Sequence, residues 1–481
     1  MSGFDRYEEF DALGLADLVR RREVTAEELL DAAVERFEER NPSINAVNAT
    51  WVDRAREAIR KGLSDGPFTG VPFLIKDLGT PVEDTPLTNG SKFFEGFRTP
   101  ADSELIARYR RAGLNLFGRT AVPELGFGMG SWQRFGGITR NPWNLDHFPD
   151  GSSGGAAAAV ASGILPMAHG SDGGGSLRMP GSCNGLVALK PTRGRNPVGP
   201  KGLESMGGMG VEHVLSRSVR DSAAALDATS GPDVGAPYYA PPPDEPFLSE
   251  VGVDPGRLRI ALSVKAPGGR PVDPECIAAA RNAATLCAEL GHNVVEADPD
   301  IRADLLAPAV VDVMTTGMAG LVAAHAAARG RPAEPDEFEP TQWALIEEGR
   351  RIRATDFAAS LATMQLEGRR IAGFFEDVDI LITPTCPTPP PAFAALGDKL
   401  LSARDLREKF FDFVPFTMGF NVSGQPAVSL PLHWTPDNLP VGVQFVGRYA
   451  AEDMLFRLSA QIEAAKPWFH RRPSTFTAEK N

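Results

Sequence analysis

The succession GVPFLIKDLG (residues 70–79), SELIARYRRAG (103–113) and LNLFGRT (114–120) constrains the fold more than any other feature of the chain. Val71 to Ile75 is a short apolar run suited to a buried strand, and Lys76 stands where that strand ends. The second segment reads as a helix closed by Gly113, and the third as another strand. Strand, helix and strand in this order predict an α/β fold in which helices cover a sheet. The order recurs within residues 255–300, as RLRIALSV, CIAAARNAATLCAELG and HNVVEA.

The remaining chain is read around these two units. Residues 1–62 read as helical, with Thr25 and Glu28 at capping-box spacing and Gly62 as a C-cap. Residues 127–151 are rich in Gly, Asn, Pro and Trp and read as loop, followed by an alanine helix over 156–162 and a strand over GILPMAH (163–169). PPPDEP (241–246) reads as a linker or surface loop. Residues 302–378 read as mostly helical, and DILITPTCPTPPPAF (379–393) as a strand entering a proline-rich loop. The strands AVSLPLHW and GVQFVG and a helix over EDMLFRLSAQIEAA end the chain, and no fixed-period repeat is present.

Composition excludes several functions. A formal net charge of −13 argues against nucleic acid and anionic membrane surfaces as partners. The four cysteines, Cys183, Cys276, Cys287 and Cys386, have neither C-x-x-C nor zinc-finger spacing, so no metal is expected. So few cysteines in 481 residues read as buried reduced thiols of a cytoplasmic protein. The polar N-terminus MSGFDRYEEFDAL has no apolar leader segment. The run GGAAAAVASGILPMA is taken as the longest low-charge stretch and is too short to span a bilayer.

Chemistry concentrates in DGSSGGAAAAV (150–160). Gly151 to Gly155 formally matches G-x-S-x-G, with Ser153 as nucleophile, but an elbow needs a strand directly before it and NPWNLDHFPD is full of turn residues. A phosphate cradle lacks the P-loop lysine. For this stretch alone, Ser152 or Ser153 capping the alanine helix is the favoured reading. Two further features widen the set. Lys76 follows a buried strand, and burial favours a neutral lysine able to act as a base. Ser176 follows Gly173-Gly174-Gly175, whose backbone N–H groups can converge as an oxyanion hole. Taken singly, the lysine is more often a solvated surface residue and the glycine stretch a plain turn.

The combination is specific. Lys76 in GVPFLIKDLG, Ser152 in GSSGG and Ser176 in DGGGSLRMPGSCNGLVALKPTRGR, in that order, resemble the amidase signature family. TRNPWNL (139–145), FNVSGQPAVSLPL (420–432) and PVGVQFVG (440–447) resemble it too, so the likeness runs over nearly the whole chain. Within the family, the nylon-oligomer (cyclic amide) hydrolase branch is the most similar. The resemblance implies one α/β domain over residues 1–481, a central mixed twisted sheet covered by helices on both faces. Residues 1–62 would be an N-terminal helical layer, 65–200 the catalytic signature core and 235–400 a mostly helical substrate-side region.

The resemblance also implies a Ser-Ser-Lys triad: Ser176 as nucleophile, Lys76 as base, and Ser152 bridging them across a cis peptide. Gly173, Gly174, Gly175 and Ser176 match the oxyanion hole, and Ser153, Asp172 and Arg178 match supporting positions. Phe127, Met129 and Trp132 match the substrate-lining segment. The implied activity is amide hydrolysis through an acyl-enzyme, on small uncharged linear or cyclic amides, lactams, anilides or carbamates, with no metal and no cofactor. A homodimer is the assembly the family suggests. Asp150 stands where the family usually has glycine, Arg119 lies in a GRT segment that is commonly GKT, and Gly173-Gly174 replaces a pattern with one non-glycine. Two other readings stay open: the amidase subunit of a tRNA-dependent amidotransferase, and a non-catalytic binding scaffold of the same fold.

Overall fold

The structure, a computed structural model, describes residues 4–476 except 129–131, 134, 201, 203, 396–404, 406–407 and 409–410. Strands β1 (Val47–Thr50), β2 (Pro72–Lys76) and β3 (Asn115–Thr120) form a three-stranded sheet in the order β1-β3-β2. A small ribbon pairs β4 (Trp132–Gln133) with β5 (Gly137–Ile138). The remaining strands are β6 (Met167–Asp172), β7 (Val187–Lys190), β8 (Val211–Ser216), β9 (Arg259–Leu262), β10 (Asn293–Glu296), β11 (Ile380–Pro384), β12 (Ala427–Trp434) and β13 (Pro440–Gly447). They form an eight-stranded sheet in the order β10-β9-β11-β13-β12-β7-β8-β6. Both sheets are mixed. β9 pairs in parallel with β10 and β11, whereas β11 to β6 run antiparallel, and β3 is parallel to β2 but antiparallel to β1.

Strand periodicity explains the layers. Successive side chains of a strand point to opposite faces. In β11, Leu381 enters a core built with the helices Ala303–Arg329, Pro340–Arg351 and Ala354–Gly373. Its neighbours Ile380 and Ile382 enter another, built with the helices Pro274–Glu289 and Glu452–Ala465. β9 divides likewise, with Ala261 on one side and Ile260 and Leu262 on the other. Helices therefore cover both faces, as expected. A third core joins the N-terminal helices, β2, β3 and the helix Gly154–Ala161.

Several local expectations are corrected. Residues 1–62 are not wholly helical, because β1 pairs with β3 between the helices Ala26–Ile44 and Val52–Lys61. The capping box of Thr25 and Glu28 is formed. The strand expected at 163–169 lies at Met167–Asp172, so its polar end, Ser171 and Asp172, belongs to a strand that periodicity ends too early. Residues 127–151 contain the β4–β5 ribbon. The helix Ala303–Arg329 is a further apolar segment. It is long and apolar enough to cross a membrane, yet 61% of its most apolar window is buried against the molecule's own core.

Candidate active site

β2 delivers Lys76 to the seam between the two sheets. Its five residues are all buried, and Lys76 itself is 0% exposed. The Lys76 N–H donates to His169 Nδ1 on β6 at 3.2 Å, so an imidazole joins the strands here. That bond makes Nδ1 an acceptor, so Nε2 carries the proton and donates to Glu212 Oε2 on β8 at 2.6 Å. Arg119, fully buried on β3, donates from Nη1 to the Lys76 carbonyl at 3.2 Å and to the Thr80 carbonyl at 3.1 Å. The arginine in GRT thus holds the backbone on either side of the Lys76 turn.

The Lys76 side chain reaches three oxygens: Ser152 Oγ at 2.8 Å, Ser171 Oγ at 2.9 Å and the Ser171 carbonyl at 3.2 Å. Burial lowers its pKa to about 7 against the opposing pull of Glu212 and Asp172. Ser152 sits on a cis peptide with Gly151. Asp150, ahead of it, has φ 63°, the left-handed region that glycine favours and that aspartate tolerates better than most residues. Its carboxylate accepts the Gly151 N–H at 2.6 Å. The Gly-to-Asp departure is therefore conformationally compatible.

Neither serine caps the alanine helix. Ser153 occupies the N-cap position without a side-chain capping bond, and its hydroxyl donates to the Ser171 carbonyl at 3.1 Å. The capping reading is overturned because the Ser153 hydroxyl is drawn instead to the Ser171 carbonyl on β6, which it shares with Lys76 Nζ. The Ser153 N–H donates to the Ser176 carbonyl at 3.2 Å, which fixes the turn 173–176 against the GSSGG segment.

That turn is built on Asp172. Its carboxylate accepts from Gly175 N–H at 2.7 Å, Leu177 N–H at 3.2 Å, Arg178 Nε at 2.9 Å and Arg178 Nη2 at 3.0 Å. Arg178 and these bonds hold Asp172 well below the usual carboxylate range despite complete burial. Asn421 donates to Asp172 Oδ1 at 2.9 Å, and Gln444 accepts from Arg178 Nη1 at 2.7 Å. These two residues lie in FNVSGQPAVSLPL and PVGVQFVG, which sequence reasoning matched without finding their role. Gly175 has φ +133°, and a Cβ there would lie 2.6 Å from Thr417 Oγ1, so only glycine fits.

The expected convergence of all three glycine N–H groups is corrected. The Gly175 N–H is committed to Asp172, whereas those of Gly173, Gly174 and Ser176 have no hydrogen bond to a described residue. The Ser176 hydroxyl likewise bonds no described residue, and Ser176 is half-buried. Met206, Met418 and Met179 crowd the positions where side chains at Gly173, Gly174 and Gly175 would project. Of the expected substrate-lining residues, Phe127 is half-buried against the core of helices 303–373. Its carbonyl accepts from Gln342 Nε2 at 2.8 Å. Met129 and the side chain of Trp132 lie outside the described residues.

A family model described as Amidase matches residues 28–456. A 6-aminohexanoate-cyclic-dimer hydrolase of Paenarthrobacter ureafaciens is 38% identical over 477 residues, covering 96% of each chain. The chain belongs to the amidase family. Members hydrolyse the amide C–N bond, and a serine–serine–lysine mechanism is general to them. The solved structure of 6-aminohexanoate cyclic dimer hydrolase complexed with substrate aligns with a TM-score of 0.92 at 36% identity, covering 98% of this chain and 100% of that one. A bacterial aryl acylamidase of the amidase signature family aligns at 0.86 and 27% identity, covering 95% and 96%.

Proposed function

We propose that this chain hydrolyses small uncharged amides through an acyl-enzyme on Ser176, with Ser152 and Lys76 relaying the proton. The observation that carries the reading is the fully buried Lys76 amine 2.8 Å from Ser152 Oγ. A neutral amine has two N–H donors and one lone pair. The Ser171 carbonyl and Ser171 Oγ can take the two donors, leaving the lone pair for the Ser152 hydroxyl proton. Ser152, deprotonated in turn, draws the proton from Ser176, whose oxygen attacks the amide carbonyl. The N–H groups of Gly173, Gly174 and Ser176, without partners among the described residues, stabilise the oxyanion. The relay then returns the proton to the leaving amine, and water releases the acid. Ser153, Asp172 and Arg178 hold the turn in place.

Cyclic dimers of 6-aminohexanoate and related linear amides, lactams, anilides and carbamates are the proposed substrates. The similarity to the cyclic-dimer hydrolase supports the first, and the thioethers of Met206, Met418 and Met179 around the turn suit uncharged, flexible chains. Phe127, Met129 and Trp132, with the region 235–400, would form the substrate side. Four unpaired buried cysteines fit a cytoplasmic setting, which cell fractionation tests. The decisive assay is a panel of these amides with purified chain and no added partner. Turnover of a cyclic or short linear amide that disappears in Ser176→Ala is expected. Wild-type turnover in Ser176→Ala, or none without a partner protein, would sink the reading.

A further inference from the structure

Behind the serines, three soft or anionic donors meet from separate segments of the chain. Asp150 comes from the loop before Ser152, Cys183 from the helix Arg178–Asn184, and Cys386 from the loop after β11. Their ligand atoms all lie within 4.8 Å of one another, and all three residues are buried. Cys183 Sγ is 3.7 Å from Asp150 Oδ2, and Cys386 Sγ is 4.0 Å from the Met179 carbonyl. Among the described residues no Lys, Arg or His pairs with Asp150. A carboxylate 7% exposed, with no cationic side chain beside it, is free to coordinate a metal ion held between it and the two sulfurs.

We propose that Asp150, Cys183 and Cys386 form a site for a thiophilic divalent cation of the Zn²⁺ or Cd²⁺ class, and that its occupation inhibits the enzyme. Two sulfurs and one carboxylate oxygen suit such ions, with a water or the Met179 carbonyl as fourth ligand. A tetrahedral thiolate site has S···S edges of about 3.8 Å, so closure from the present spacing needs shifts of about 1 Å at most. Binding displaces the two thiol protons to solvent and leaves both sulfurs as thiolates. The spacing of the cysteines in sequence hides the site, because its donors meet only in the fold.

Inhibition follows from where the ligands are anchored. Asp150 is bonded to Gly151 N–H, one residue from Ser152. Cys183 lies on the helix that begins at Arg178, two residues after Ser176. Drawing the two together moves the proposed bridge and nucleophile segments against each other. This consequence, unlike the binding itself, rests on the proposed triad.

The test titrates the reduced full-length chain with CdCl₂ and reads thiolate-to-Cd²⁺ charge-transfer absorption, stoichiometry by calorimetry, and amide turnover separately. One Cd²⁺ per chain with the thiolate signature is expected, together with a loss of turnover reversed by EDTA. Cys183→Ser and Cys386→Ser each keep basal turnover and bind Cd²⁺ at least about tenfold more weakly. Cys287→Ser binds as the wild type does, and thermal melting confirms that each variant is folded. Equal binding by the wild type and a folded Cys386→Ser would overturn the site. Cd²⁺ bound with its thiolate signature and turnover unchanged would overturn the inhibition alone. An absence of amide turnover without Cd²⁺ counts against the proposed function, and the binding readout still decides the site.

Discussion

Lys76 shows how one residue can be read from sequence and still need the fold. Its position after an apolar strand suggests a base, but a lysine there is ordinarily solvated. What removes the water is the seam: His169 and Arg119 hold its backbone, and Ser152 and Ser171 fill its reach. With its pKa lowered to about 7, the amine is the proposed base only above that pH. The acidic limb of kcat/KM on an uncharged amide is therefore expected to rise through about pH 7, and a limb near the ordinary lysine value contradicts it. Asp172 and Arg178 form a pair in which neither side chain is exposed. Asp172→Ala leaves Arg178 buried without its counter-charge, and denaturant unfolding should show a loss of roughly 3–5 kcal/mol. A loss within the error of the measurement would mean the pair is not holding the turn.

At the scale of elements, the strands that periodicity found are those with one apolar pattern, such as β2, β9 and β11. β8 escaped because VEHVLS places Glu212 and His213 in its middle. Those polar residues are accommodated by specific partners: Glu212 by His169, and His213 by Ser222 at 2.9 Å. β6 was shifted for the same reason, its last residues being spent on the site. The alanine helix was legible, but not why it is alanine and glycine. A Cβ on Gly155 would lie 2.5 Å from the backbone of Ala121 and of Ala46, so the helix packs directly on the ends of neighbouring strands. Gly155→Ala is expected to destabilise by about 1–3 kcal/mol, read as a lower melting temperature with lower turnover, because Ser152 and Ser153 directly precede this helix. An unchanged melting temperature would show that the contact yields freely.

For the whole molecule, two buried lysines make stability depend on pH. Lys76 and Lys190 are both fully buried, and burial lowers each pKa from 10.5 to about 7. Between those values the unfolded chain holds the protons and the folded chain does not, so stability should rise with pH from about 7 toward 10.5. Lys76→Met and Lys190→Met should each flatten that rise in melting temperature; identical slopes would contradict the burial argument. The architecture itself was legible from two β–α–β units and separated motifs. The division into two sheets, and the clasp of Asn421 and Gln444 on Arg178, were not, because they join residues hundreds of positions apart. The most direct test of the central claim is an acid quench during turnover of a slowly hydrolysed anilide, followed by fragment mass spectrometry. The account predicts the acyl group on Ser176, absent in Ser176→Ala; an acyl group on Ser152 or Ser153, or turnover with no serine adduct, would contradict it.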